Sequence, residues 1–290
     1  MNEVRRARVV AVGRNAAWVV FAGEREPRLV NFRKKAKHPM PVPGDLVTVS
    51  ERDEHTVVDG VVPRSFALER RTAGGRTKTM AANVDTLAVV AALVDPPIHL
   101  AMIDRLIAFA VQHDVATTLL LTKADLAGSD AADGIAAIYR PLEIPVLVLQ
   151  PKTGGGMAAL EAHVAARHAL LIGQSGVGKS SIFRALGGIS VVGEVSRHGQ
   201  GRQTTTSARL VEFADGFLID SPGIGEFALD PMPPAEVAEL FVEMRPFAGR
   251  CRFRNCRHVA EPDCAVRDAA ADGRIALSRY ASYREIATTG

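Results

Sequence analysis

Residues 173–180 read Gly-Gln-Ser-Gly-Val-Gly-Lys-Ser, a complete P-loop of the form Gly-x-x-x-x-Gly-Lys-Ser. Such a loop works only where a buried strand feeds a glycine turn and a helix N-terminus points back at it. Both flanks are present: His168–Ile172 is an apolar, strand-like run, and Ser180–Leu186 can form a helix. The backbone N–H groups of Gly173, Gln174, Ser175, Gly176, Val177 and Gly178 are then expected to cradle phosphate oxygens. Lys179 would reach the β- and γ-phosphates, and the Ser180 hydroxyl would ligate Mg²⁺. The loop specifies the phosphate of a nucleotide and leaves the base open.

Two further segments address the base and the metal. Thr122-Lys123-Ala124-Asp125 follows the apolar run Thr117–Leu121 and resembles the Asn/Thr-Lys-x-Asp motif by which GTPases read guanine. A carboxylate at Asp125 accepts from guanine N1–H and N2–H₂, a donor pair adenine lacks, so the wrong base would leave a buried charge unpaired. That argues against the ATPase or kinase that the P-loop alone would allow. Asp220-Ser-Pro-Gly223 follows the strand-like Gly216–Ile219, which suits Asp220 as a second-shell Mg²⁺ ligand and the Gly223 N–H as a γ-phosphate contact. Between them lies Gly199–Ser207, with the run Thr204-Thr205-Thr206. A threonine there suits an Mg²⁺-ligating switch. The residues do not say which of the three it is; Thr205 is the candidate ligand and catalytic residue.

The order is base motif, P-loop, then Asp-x-Pro-Gly, whereas Ras-like GTPases run P-loop, Asp-x-x-Gly, Asn-Lys-x-Asp. The chain reads as circularly permuted. Permutation preserves the spatial site and moves the chain ends, so the segment after Gly223 leads straight into the C-terminal region.

With 290 residues the chain has room for two or three domains. Residues 1–70 alternate short β-like runs (Arg8–Val12, Ala17–Phe21, Asp45–Val49, Val57–Val62) with turn signals such as Pro43-Gly44-Asp45, the pattern of a small all-β barrel. A polar, glycine-bearing linker at 72–79 follows. From about residue 82, strand-like runs at Thr86–Leu93, Thr117–Leu121, Ile144–Leu149, His168–Ile172 and Gly216–Ile219 alternate with helical stretches such as Met102–Gln112, which predicts a mostly parallel α/β sheet. Helix, a Cys/His cluster and one or two helices complete the chain after Pro234. The expected domains are 1–72, 73–230 and 231–290.

Charge is uneven. Residues 1–80 carry 16 Lys/Arg against 9 Asp/Glu, residues 81–244 carry 10 against 18, and residues 245–290 carry 9 against 5. Basic ends around an acidic nucleotide-binding middle suggest a nucleic-acid partner. The basic loop Arg33–Lys37 is the densest patch of the N-terminal region. No apolar run is long enough to span a bilayer and the N-terminus lacks the apolar core of a signal peptide, so a cytoplasmic protein without a membrane partner is expected. Nothing signals an oligomer, and a monomer is the default.

The three cysteines, Cys251, Cys256 and Cys264, fall within 14 residues together with His258. An odd, clustered count favours a metal over disulfides. Three thiolates and one imidazole make a closed tetrahedral set, so a structural zinc ion is expected. Arg250, Arg252, Arg254 and Arg257 interleave with the ligands.

Taken together, the chain resembles the small-ribosomal-subunit-dependent GTPases, the RsgA/YjeQ family, through Pro43–Asp45, Pro63-Arg64, Ala81–Asp85, Thr122–Asp125, Gly173–Ser181, Thr204–Thr206, Asp220–Gly223, Glu226-Phe227 and the Cys/His cluster. The resemblance implies a multidomain protein: an N-terminal all-β OB-fold barrel, a central α/β circularly permuted P-loop GTPase domain, and a mainly α C-terminal zinc-binding domain. It also implies Ser181 at the nucleotide, Mg²⁺ with GTP, hydrolysis to GDP stimulated by the small subunit, a role in that subunit's late maturation, and rRNA contact by the two basic ends. The chain departs from the family in having Thr122 where Asn is usual, and Gln203 where His often stands. Ile224 occupies the place of the water-orienting Gln of Ras-like enzymes. An aliphatic side chain cannot orient water, so unassisted hydrolysis should be slow, and Gln203 is the candidate for positioning the attacking water.

Overall fold

The computed structural model describes residues 4–13, 15–24, 26–32, 39–52, 55–71, 77–187, 209–213, 215–220, 229 and 232–289. Gln203, Thr204–Thr206, Gly223, Glu226-Phe227 and the basic loop 33–37 lie outside them.

The N-terminal strands β1 (Arg5–Val12), β2 (Ala16–Phe21), β3 (Arg28–Asn31), β4 (Leu46–Arg52) and β5 (His55–Val61) close into a barrel in the order β1-β2-β3-β5-β4. Alternation sends Ala7, Val9, Ala17, Val19, Phe21, Val30, Val47, Val49 and Val58 into one apolar core. Closure leaves no free edge between the first and last strands. The strand β6 (Ala67–Arg71) pairs antiparallel with β7 (Thr77–Ala82), so part of the expected linker is a hairpin.

Three of the motifs singled out in the sequence form one latch. Arg64 donates from Nε to Asp45 Oδ1 and from Nη2 to Asp45 Oδ2, both at 2.8 Å, and from Nη2 to the Met40 carbonyl at 2.9 Å. Asp45 is fully buried, so this bidentate pair supplies the partner its charge requires. Asn83 donates to the Gly44 carbonyl and accepts from the Ser65 N–H. A Cβ on Gly44 would lie 2.1 Å from the Ala82 carbonyl oxygen, so glycine is required there.

The later strands are β8 (Thr86–Ala92), β9 (Ala116–Thr122), β10 (Val146–Leu149), β11 (His168–Ile172), β12 (Arg209–Glu212) and β13 (Phe217–Asp220). They form a six-stranded sheet in the order β10-β9-β8-β11-β13-β12. β10 runs parallel to β9 and β11 parallel to β13, while β12 is antiparallel to β13. The helices are α1 (Leu100–Gln112), α2 (Ala131–Tyr139), α3 (Met157–Val164), α4 (Lys179–Ala185), α5 (Pro234–Val237), α6 (Arg245–Ala248), α7 (Ala265–Ala271) and α8 (Leu277–Thr289). No described helix is long and apolar enough to cross a membrane.

The chain divides into two compact units. One holds residues 1–88, 151–172 and 178–224; the other holds 89–150, 173–177 and 225–290. In the second unit the C-terminal helices share a core with helix α1: Ala108 joins Phe241, Met244, Val266, Ile275, Tyr283 and Ile286. A buried polar network lies in the same unit. Arg279, on α8, is 1 % exposed and donates to Asp104 of α1 at 2.9 Å and to both oxygens of Glu243 at 2.7 and 3.2 Å. Asp104 also accepts from Tyr139 and Ser282. Every charge in the network has an opposite partner, the condition for holding ions out of water.

Candidate nucleotide and metal sites

In the unit holding Thr122–Asp125, β9 carries its apolar residues into the core and ends on Thr122, which is 1 % exposed. Its Oγ1 donates to the Val177 carbonyl in the P-loop at 2.6 Å. The threonine standing in place of asparagine therefore ties the base motif to the phosphate loop. Lys123 adopts a left-handed conformation (φ 57°), and its ammonium donates to the Asp95 carbonyl. Asp125 lies exposed in a single 3-10 turn, Ala124–Leu126. Gly173 passes so close to β8 that a Cβ would lie 2.2 Å from the Val90 carbonyl oxygen, so the first P-loop position admits glycine alone.

In the other unit, Gly178 takes a left-handed conformation (φ 102°) and opens α4. The β11–β13 register sets Leu171 opposite Asp220, which puts the aspartate level with the end of the strand that feeds the P-loop. Ser180 Oγ donates to Asp220 Oδ2 at 3.2 Å. Burial pushes the Lys179 ammonium below its ordinary pKa, and the Asp220 carboxylate opposes that shift. A cation without full hydration beside a carboxylate and a hydroxyl is an arrangement that gains from a polyphosphate and a hard divalent ion. The adjacent oxygen donors of Ser180 and Asp220 fit Mg²⁺, which prefers such ligands and retains water.

The four predicted metal ligands converge. His258 Nδ1 lies 3.4 Å from both Cys251 Sγ and Cys264 Sγ, and these two sulfurs are 3.9 Å apart. With Cys256, all four donor atoms lie within 4.8 Å of one another. A tetrahedral zinc with Zn–S near 2.3 Å requires S···S edges of about 3.8 Å and S···N edges of about 3.5 Å. The cluster can therefore hold a metal ion, and its donor set is the one zinc prefers. Burial pushes the Cys256 thiol up to about 12 and raises Cys264, while it lowers His258. Ligation by a dication is what would draw the protons from such thiols.

Sequence reasoning missed the groups that shape this loop. Glu261 accepts from the N–H groups of Arg257, Val259 and Ala260. Burial alone would raise its carboxyl, but those donors outweigh burial and hold it at about 2. Tyr280 and Tyr283 donate to the carbonyls of His258 and Arg257. Only the hydrogen-bonding capacity of a carboxylate and two phenols could have signalled them, and it has no fixed spacing to the ligands.

The family model described as RsgA GTPase matches residues 61–230. The chain belongs to the RsgA GTPase family. Among its relatives, the small ribosomal subunit biogenesis GTPase RsgA of Azotobacter vinelandii (strain DJ / ATCC BAA-1303) is 40% identical over 272 residues, which cover 91% of this chain and 79% of the relative. The crystal structure of YjeQ from Thermotoga maritima matches with a TM-score of 0.74 at 28% identity, over 99% of this chain and 98% of that one. The crystal structure of YloQ, described as a circularly permuted GTPase, matches with a TM-score of 0.70 at 25% identity, over 99% and 94%. The RsgA resemblance read from the motifs and the permuted order of the nucleotide segments are therefore both borne out.

Proposed function

We propose that this protein hydrolyses GTP to GDP in association with the small ribosomal subunit, acts in the late maturation of that subunit, and leaves it on hydrolysis. The observation that carries the reading is the 2.6 Å bond from Thr122 to Val177, which holds the segment Thr122–Asp125 against the P-loop in the permuted order. The similarity to the RsgA relative supports the ribosomal assignment.

In this reading Gly173–Ser181 enclose the phosphates and Thr122, Lys123 and Asp125 hold guanine, with Asp125 accepting from the base. Lys179 neutralises charge that develops on the γ-phosphate. Ser180 and Thr205 would hold Mg²⁺, which would supply positive charge against that of the phosphates, and Asp220 would orient the Ser180 hydroxyl that donates to it. Gly223 donates its N–H to the γ-phosphate, and Gln203 positions the attacking water. Cys251, Cys256, His258 and Cys264 hold a structural zinc. The three domains are an RNA-binding barrel (1–72), the GTPase (73–230) and the zinc domain (231–290), whose basic surfaces contact rRNA. The protein is monomeric and cytoplasmic.

The decisive nucleotide test is Asp125→Asn. Loss of the carboxylate should cost GTP affinity by about two orders of magnitude and restore binding with xanthosine triphosphate. Unchanged GTP preference in that variant contradicts the assignment. For release, small subunits should retain the protein with a non-hydrolysable GTP analogue and lose it with GDP; equal retention with both would refute that step.

A further inference from the structure

Arg8 belongs to the barrel but spends its side chain on the Asp220-bearing strands. It sits on β1 opposite Val20 of β2 and Leu46 of β4. Its guanidinium lies 3.6 Å from the Glu212 carboxylate on β12 and 4.7 Å from the ring centroid of Phe217 on β13. Glu212 and Phe217 face each other directly across the β12–β13 pair, so one arginine engages both members of a cross-strand pair. Nη1 of the same residue donates to the Gly44 carbonyl at 3.3 Å, which anchors it to the Pro43–Asp45 turn. Phe217 also stacks on His168 of β11 at 4.4 Å and an interplanar angle of 10°. His168 is held in turn by Asp85, which accepts from its backbone N–H.

This junction lies three residues from the magnesium end of the site. β13 runs from Phe217 to Asp220, a span of about 10 Å in a strand, and Asp220 accepts the Ser180 hydroxyl. β12 begins three residues after Thr206, so both strands that Arg8 grips flank groups assigned to the γ-phosphate and Mg²⁺. The contact is not a casual surface pair. Arg8 and Glu212 are 26% and 33% exposed, and burial shifts both toward their neutral forms while each opposes the other's shift. Holding two partly desolvated charges there requires that they stay together.

We propose that Arg8 is a positioning residue that ties the barrel to the β12–β13 strands, so that engagement of the barrel by small-subunit RNA is felt at Asp220 and Ser180. The inference rests on the ribosomal reading given above. Arg8 touches no phosphate; it acts through Glu212 and Phe217.

The test is GTP turnover by full-length Arg8→Met, with and without purified small subunits, alongside subunit binding measured with a non-hydrolysable GTP analogue. Methionine keeps the apolar stem on Phe217 and removes the charge. Stimulated kcat should fall about tenfold, with KM for GTP, basal turnover and subunit affinity each within about threefold of wild type. The swap Arg8→Glu with Glu212→Arg should recover most of the stimulation. If Arg8→Met lowers barrel melting, read by Trp18 fluorescence, Glu212→Gln carries the same test from the other partner. Full stimulation of both single variants overturns the inference, as does a loss of stimulation that matches a loss of subunit affinity. A wild-type chain that small subunits fail to stimulate overturns the ribosomal reading itself, and this inference with it.

Discussion

The N-terminal barrel and the C-terminal helices solve the small-domain problem in opposite ways. The barrel closes its hydrogen-bonded ladder on itself and fills the inside with valine, alanine and phenylalanine. Arg5–Glu24 pairs at its surface, and Arg64 pairs with the buried Asp45 at the Pro43–Asp45 turn. The C-terminal region instead has short helices, a four-ligand cluster and a buried Arg279–Asp104–Glu243 network that reaches α1. The first rests mainly on area buried inside a closed ladder, whereas the second adds a set of specific polar bonds to its own apolar core. Each bond of the second kind is costly to break, because its partner is left charged and out of water.

The largest effect should come from the metal cluster. Chelation, or Cys264→Ala, should disorder the segment from 250 to 264, since structural zinc contributes on the order of 10 kcal/mol to such sites. Hydrogen exchange should rise there and in α7 while Trp18 in the barrel reports no change. A simultaneous barrel transition would break the contrast.

Asp104→Ala comes next. It leaves Arg279 with Glu243 alone and deprives Tyr139 and Ser282 of their acceptor, at a cost of about 3–5 kcal/mol. Exchange of α1 and α8 amides should rise together; a cost under about 1 kcal/mol would show that the network adds little.

In the barrel, Val30→Ala should cost about 2 kcal/mol through lost contact and a small cavity. That loss should appear in the Trp18 melt and leave metal content untouched.

The smallest effect concerns Glu24. The Arg5 hydrogen bond, aided by Arg28 and opposed by burial, holds its carboxyl below the ordinary glutamate value. A depressed folded-state pKa contributes stability above the unfolded value and loses it as pH falls through the folded one. The melting difference between wild type and Glu24→Gln should therefore be present at neutral pH and vanish on acidification. A difference that persists in acid assigns the effect to packing.

Much of this was legible in the sequence because local chemistry specified it. The strand His168–Ile172 ends where the P-loop requires, and the metal ligands sit close in sequence because one loop must bring them to one point. What escaped was either too short or too distant. β3 offers four residues, with Leu29 exposed, and shows no period to detect. β7 opens Thr-Lys-Thr, which reads as linker until β6 pairs with it. Arg279 looks like a solvated helix residue, since its partner Asp104 stands 175 residues away. Arg8 likewise carries no sequence sign of Glu212. The motif Pro63-Arg64 was visible, but its physical reason, a bidentate grip on Asp45, needed the fold.

The central claim is that this P-loop serves the small ribosomal subunit. GTP turnover of the purified protein, measured alone and with saturating small or large subunits, tests it most directly. A rise of at least about tenfold with small subunits and none with large ones is the predicted result; turnover that small subunits leave unchanged would contradict it.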